Sequence, residues 1–146
     1  MKKLSIILFV ALMSLPTFAQ TVKHINVKNN IAIQGYDPVA YFESNKAIEG
    51  KKEITAKFNE VTYQFASENN KDLFLKNPSH YEPQFGGFCA YGLSEGYEAP
   101  IEPEAFTIVD NKLFLNYNLK VKEMWSKEQA ARIKKAMVNW EDIRKK

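Results

Sequence analysis

The stretch ITAKFNEVTYQFASENNKDLFLKNP, residues 54–78, decides the fold. Ile54, Ala56 and Phe58 alternate with polar residues, and so do Val61, Tyr63 and Phe65. Alternation with a period of two marks strands with one buried face. Asn59-Glu60 between the two runs predicts a tight hairpin turn. Ser67 then reads as a helix N-cap, with Glu68 and Asp72 in the first turns, where the helix dipole favours negative charge. Leu73 and Phe74 supply an apolar contact, and Asn77-Pro78 stops the helix. A hairpin followed directly by a helix implies an α+β arrangement.

The same logic extends toward the C-terminus. Phe106-Thr107-Ile108-Val109 and Leu113-Phe114-Leu115 flank Asp110-Asn111-Lys112, and Asp and Asn tolerate the left-handed conformation of such a turn. A helix is expected over Leu119–Trp125. Ser126 then reads as the cap of a final helix, with Gln129 at the reciprocal position of a capping box. In that helix Ile133, Met137 and Trp140 form an apolar stripe, extended by Ala130 and Ile143, which predicts a face packed on the core. The expected fold is α+β: a small antiparallel sheet of hairpins packed against a central helix, Ser67–Lys76, and a C-terminal helix.

Toward the N-terminus, Gly35-Tyr36-Asp37-Pro38 interrupts the chain, because Gly permits unusual dihedrals and Pro drives Asp37 out of the helical region. Tyr81–Tyr97 is rich in glycine and aromatic residues and reads as irregular but packed. No linker, low-complexity tract or internal repeat is legible between residues 31 and 143. One domain is therefore expected over 31–146, preceded by a lead-in segment over 20–30. In that segment Thr21–Val27 alternates partly, and Lys28-Asn29-Asn30 reads as a turn.

Residues 1–19 have the parts of a cleaved secretory signal: Lys2 and Lys3, an apolar run over Leu4–Leu15, and small residues at Thr17 and Ala19. The run is shorter than the roughly 20 residues of a spanning helix, so no stable membrane anchor is expected after cleavage. The expected location is outside the cytoplasm, in the periplasm or the extracellular medium. Loss of Lys2 and Lys3 takes the formal net charge from +3 to +1. No basic face then remains to suggest nucleic acid as a partner.

The chemistry-bearing residues are few. The chain has one cysteine and two histidines, and no phosphate loop, nucleophile elbow or paired-histidine zinc motif. Cys89 stands open to three readings: an inert buried thiol, a ligand for copper or zinc, or a reactive thiol. His80 is a candidate ligand or a polar residue of the turn after Pro78. Asp37 is a candidate ligand or base, or a side chain that hydrogen-bonds nearby backbone amides. His24, close to the expected new N-terminus, reads as solvated.

Four motifs occur in order: Gly35-Tyr36-Asp37-Pro38-Val39-Ala40-Tyr41-Phe42, Val61–Ser67, Phe74–Tyr81, and Gln84-Phe85-Gly86-Gly87-Phe88-Cys89-Ala90-Tyr91-Gly92. Together they resemble the exported YHS-domain proteins of bacteria, over about Val27–Trp140. The resemblance implies a YHS-like fold. Related domains in copper-transporting ATPases and some multicomponent hydroxylases have cysteines for which metal binding is proposed. The corresponding positions here are Ala40, Ala66 and Asn70, so those thiolates are absent. The first expectation is thus a small binding module, with Cys89, His80 and Asp37 as candidate ligands for a soft transition metal, copper or zinc. The second is a structural or interaction protein with a buried, inert Cys89. The third is a cysteine-dependent redox enzyme. Processing is testable at once: mass spectrometry of the exported protein should show a chain beginning at Gln20, and an intact chain in the membrane fraction would refute the signal reading.

Overall fold

The computed structural model describes residues 24–146. The expected signal over 1–19, and the part of the lead-in before His24, lie outside the described residues. The fold is α+β, as expected. Strands β1 (Val27–Lys28) and β2 (Ile31–Ala32) form a short antiparallel pair joined by Asn29 and Asn30, both at positive φ. Helix α1 (Ala40–Glu43) follows, then strands β3 (Lys51–Phe58) and β4 (Val61–Phe65), then helices α2 (Glu68–Lys76) and α3 (Pro78–Tyr81). The second half contains α4 (Ala90–Ser94), β5 (Glu102–Val109), β6 (Lys112–Asn116), α5 (Leu119–Lys127) and α6 (Gln129–Ile143).

The sheets depart from expectation in one respect. The hairpins do not join into one antiparallel sheet. The first sheet runs β1-β2-β4-β3, with β2 parallel to β4, and β5-β6 stands as a separate pair.

The larger correction concerns repetition. The elements of the second half follow those of the first at a spacing of 51 residues: β3 with β5, β4 with β6, α2 with α5. Register is kept as well. Thr55 pairs with Gln64 and Phe106 with Leu115, and both hairpins have an irregularity four residues or fewer upstream, between Lys51 and Thr55 and between Glu102 and Phe106. Each hairpin turns on two residues at positive φ, Asn59-Glu60 and Asp110-Asn111, the pattern of a type I′ turn. Ser67 Oγ accepts from the backbone N–H of Asn70, and Asn118 Oδ1 accepts from that of Val121. Each half also opens on a left-handed turn of three residues, Ile33-Gln34-Gly35 and Phe85-Gly86-Gly87. The described residues thus repeat one order of elements, a first unit opening at Ile33 and a second at Phe85, with the turns 52 residues apart and the hairpins and following helices 51. Sequence did not show this because different side chains fill the same places. Tyr63 rests on Phe74 at 4.7 Å and Phe114 rests on Trp125 at 5.5 Å, both with rings tilted at 37°.

Packing explains the sequence pattern of β6. Leu113 and Leu115 enter one core with Tyr63, Phe65 and Phe74, while Phe114 enters the other with Trp125, Leu93 and Ala136. A strand buried on both faces carries a continuous apolar run rather than an alternating one.

Two local readings are corrected at the C-terminus. Ser126 lies inside α5 and bonds back to the Lys122 carbonyl, so it does not cap α6. The buried line of α6 is Ala136 and Ile143, with Ile133 and Trp140 half-buried beside it, and Met137 is 45% exposed. Ala136 lets α6 approach α4 closely, which rotates Met137 off the contact face. The equivalence of the two caps is measurable: Ser67→Ala and Asn118→Ala should each cost about 1 kcal/mol in denaturant unfolding. A neutral result at either position would break the equivalence.

Candidate functional site

Asp37 follows the first left-handed turn and is fully buried. Its Oδ1 accepts from the backbone N–H groups of Val39 (2.8 Å) and Ala40 (3.3 Å), at the start of α1. Its Oδ2 accepts from Ala66 N–H (2.8 Å) and from Asn70 Nδ2 (2.7 Å), at the start of α2. Four donors surround the carboxylate, about as many as its lone pairs can serve. The residue therefore ties the turn, α1 and the β4–α2 junction into one piece. Ala66 and Asn70 meet here as partners of this carboxylate.

Cys89 occupies the corresponding place in the second unit. It follows the second left-handed turn and precedes α4, and it is 1% exposed. Its backbone N–H bonds to the Ala99 carbonyl, as that of Asp37 bonds to the Ile48 carbonyl. The thiol lies 3.7 Å from Asn116 Oδ1, to which it donates, and Sγ accepts from Gly92 N–H at 3.5 Å. Asn116 Oδ1 also accepts from Tyr91 N–H at 3.1 Å. Cys89 and Asn116 together do for α4 what Asp37 does for α1.

His80 is half-buried, with its ring 4.8 Å from that of Phe42 and 4.6 Å from that of Tyr81. Among the described residues no three or more His, Cys, Asp or Glu side chains come together as metal ligands. The structure brings Asp37 and Cys89 to matching places in two units, each bonded to backbone amides and to an asparagine side chain, and leaves His80 in an aromatic contact. The donor set does not fit a metal centre: the Asp37 oxygens already serve N–H groups, and the Cys89 sulfur is engaged and enclosed.

Other polar groups matter more than their sequence suggested. His24 stacks on Phe88 at 5.3 Å and on Trp140 at 5.8 Å, and its Nε2 meets Glu98 at 2.8 Å. It is a tether for the start of the described chain. Gly86 lies against the His24 carbonyl at φ +60°, where a side chain would collide. Arg132 lies over the Tyr91 ring at 3.9 Å and binds Ser94, Glu95 and Glu128, which fixes α6 to α4. Apart from the Arg132–Glu128 pair, four residues apart, these contacts join distant segments and local patterning does not mark them.

Among the described residues Gln84, Phe85, Met137, Val138, Trp140 and Glu141 border an apolar cleft of about 500 Å³. No helix among the described residues is long and apolar enough to cross a membrane. Comparison with protein-family models, with curated proteins and with solved structures found no match.

The two latches should differ in cost. Asp37→Ala orphans four donors and should destabilise the fold by roughly 3 kcal/mol or more, whereas Cys89→Ala should cost about 1 kcal/mol, since Asn116 still holds Tyr91. Equal losses in chemical denaturation would contradict these roles.

Proposed function

We propose that the chain is an exported, non-catalytic interaction domain of YHS type, in which Cys89 is an inert part of the fold. The observation that carries this reading is the matched burial of Asp37 and Cys89 at the starts of α1 and α4. A nucleophile or redox centre needs access and an activating base or positive field. A soft-metal ligand needs a free thiolate with convergent partners. Cys89 has its hydrogen-bonding capacity spent on Asn116 and Gly92.

The distribution of exposed apolar side chains supports an interaction role. Of the eight large exposed apolar side chains among the described residues, Val27 and Leu75 lie in the first half, and Tyr97, Tyr117, Leu119, Met124, Met137 and Val138 lie in the second, Val138 being 70% exposed. Concentration of apolar surface on one part of a small domain is characteristic of interaction proteins. The leader expected over residues 1–19 supports an exported location.

Thiol chemistry and metal titration together test the reading. In the folded protein Cys89 should react with a thiol reagent at least a hundredfold more slowly than after denaturation. Copper(I) and zinc, titrated against a competing chelator, should show the same affinity in wild type, Cys89→Ser and His80→Ala. Rapid stoichiometric labelling, or tight binding lost in either variant, would restore the metal or redox reading.

A further inference from the structure

The two units share a framework but differ in the chemistry of their cores. Four buried polar side-chain atoms have no hydrogen-bond partner among the described residues: Thr107 Oγ1, Asn116 Nδ2, Trp125 Nε1 and Arg132 Nε. All four lie in the second unit. At the 51-residue spacing, the matching positions of the first unit are Ala56, Phe65, Phe74 and Tyr81, which all build its hydrophobic core. Where the first unit buries an apolar or aromatic side chain, the second buries an unpaired polar atom.

Three of these four atoms belong to residues on one face of the β5–β6 pair or of the helix packed on it. Thr107 stands opposite Phe114 across the β5–β6 ladder, and Asn116 follows two residues later on the same face of β6. Trp125 covers that face through its contact with Phe114. The rings of Phe65 and Phe74, at the positions of Asn116 and Trp125, lie 5.2 Å apart. By the same correspondence Asn116 on β6 and Trp125 on α5 face each other, each with an unpaired N–H group among the described residues. Arg132 belongs elsewhere, on α6, where its other guanidinium nitrogens are bound.

The orientation of the Asn116 amide is set by its oxygen, which accepts from Tyr91 N–H and from the Cys89 thiol. Its NH2 group must then point away from Cys89. An indole N–H and an amide NH2 can only donate, while a hydroxyl can donate or accept. Both Asn116 and Trp125 are fully buried. Buried donors of this kind are almost always paired. The complementary ligand accepts two hydrogen bonds and forms a third with a hydroxyl. That is the bonding of an internal water, which commonly makes about three such bonds to buried polar groups.

We infer that the second unit contains a buried binding site for a small neutral hydrogen-bond acceptor, one water molecule, held by Asn116 Nδ2, Trp125 Nε1 and Thr107 Oγ1. The first unit has no counterpart, because Ala56, Phe65 and Phe74 close the same space with apolar groups. The site makes the second core polar and specific where the first is dry. It also links the Cys89–Asn116 latch to α5, since one amide serves the latch with its oxygen and the site with its nitrogen.

The test is water-detected nuclear Overhauser spectroscopy on the 15N-labelled processed protein. The Trp125 indole N–H should show a cross-peak to water with the sign of a long-lived bound molecule, distinct from the half-exposed Trp140 indole. Asn116→Leu should abolish that cross-peak in a protein that keeps its dispersed amide spectrum. If Asn116→Leu does not fold, a high-resolution crystal structure of the wild type decides, by density of water size within hydrogen-bond reach of both Asn116 Nδ2 and Trp125 Nε1. Absence of the cross-peak in wild type, its persistence in folded Asn116→Leu, or density too large for water would overturn the inference.

Discussion

Strand β6 is buried on both faces, and the two cores meet across it. Leu113 and Leu115 complete the core of the first unit, while Phe114 completes that of the second. Its ends are tied as well: Leu113 bridges to Pro83 and Leu115 to Cys89, and Asn116 holds the start of α4. A strand in this position has no tolerance for polar side chains until its last residue, where the hydrogen bonds of the second latch begin. The two-unit architecture rests on this shared wall. Without it each unit would be a hairpin and a helix with one apolar face open, too small to bury a stable core alone.

The paired latches show how one mechanical need is met by two chemistries. Each unit must satisfy the free N–H groups at the start of a short helix that follows a left-handed turn. The first unit uses a carboxylate, which serves four donors and binds two helix starts at once. The second divides the task between a weak thiol and an amide. A thiol accepts poorly, so Asn116 carries the stronger bond to Tyr91. This division gives the lone cysteine a place in the core as part of the hydrogen bonding that starts α4.

Departure from strict repetition is concentrated at the ends of the molecule. After α2 the chain makes only the short α3, because β6 of the next unit already covers that side. After α5 no further unit follows within the described residues, and α6 runs across α4 in its place, held by Arg132 and by Asn139 on the Leu93 carbonyl. Terminal caps of this kind are general in repeat proteins, whose last unit would otherwise expose its inner face. Most of the large exposed apolar residues lie on this capped half, and Met137 and Val138 among them border the cleft beside Trp140.

Sequence by itself determined both hairpins, the Ser67 cap, the helix it starts and the α+β class, because each depends on neighbours in the chain. Alternation, turn residues and N-caps are local signals with a fixed period. Sequence also singled out Asp37 and Cys89 correctly as exceptional, but left their roles open between ligand and latch. Only the tertiary structure shows both engaged by backbone amides and by asparagine side chains, because their partners Ala66, Asn70, Gly92 and Asn116 include residues up to 33 positions away. It also decided that His24 is a tether, that Met137 faces outward, and that the halves repeat. The repeat is written in dihedral angles, register and hydrogen bonds, whereas Phe65 and Asn116, or Phe74 and Trp125, share a place without sharing a chemistry. A backbone framework can be kept while its interior is exchanged, and linear patterning records the interior far better than the framework.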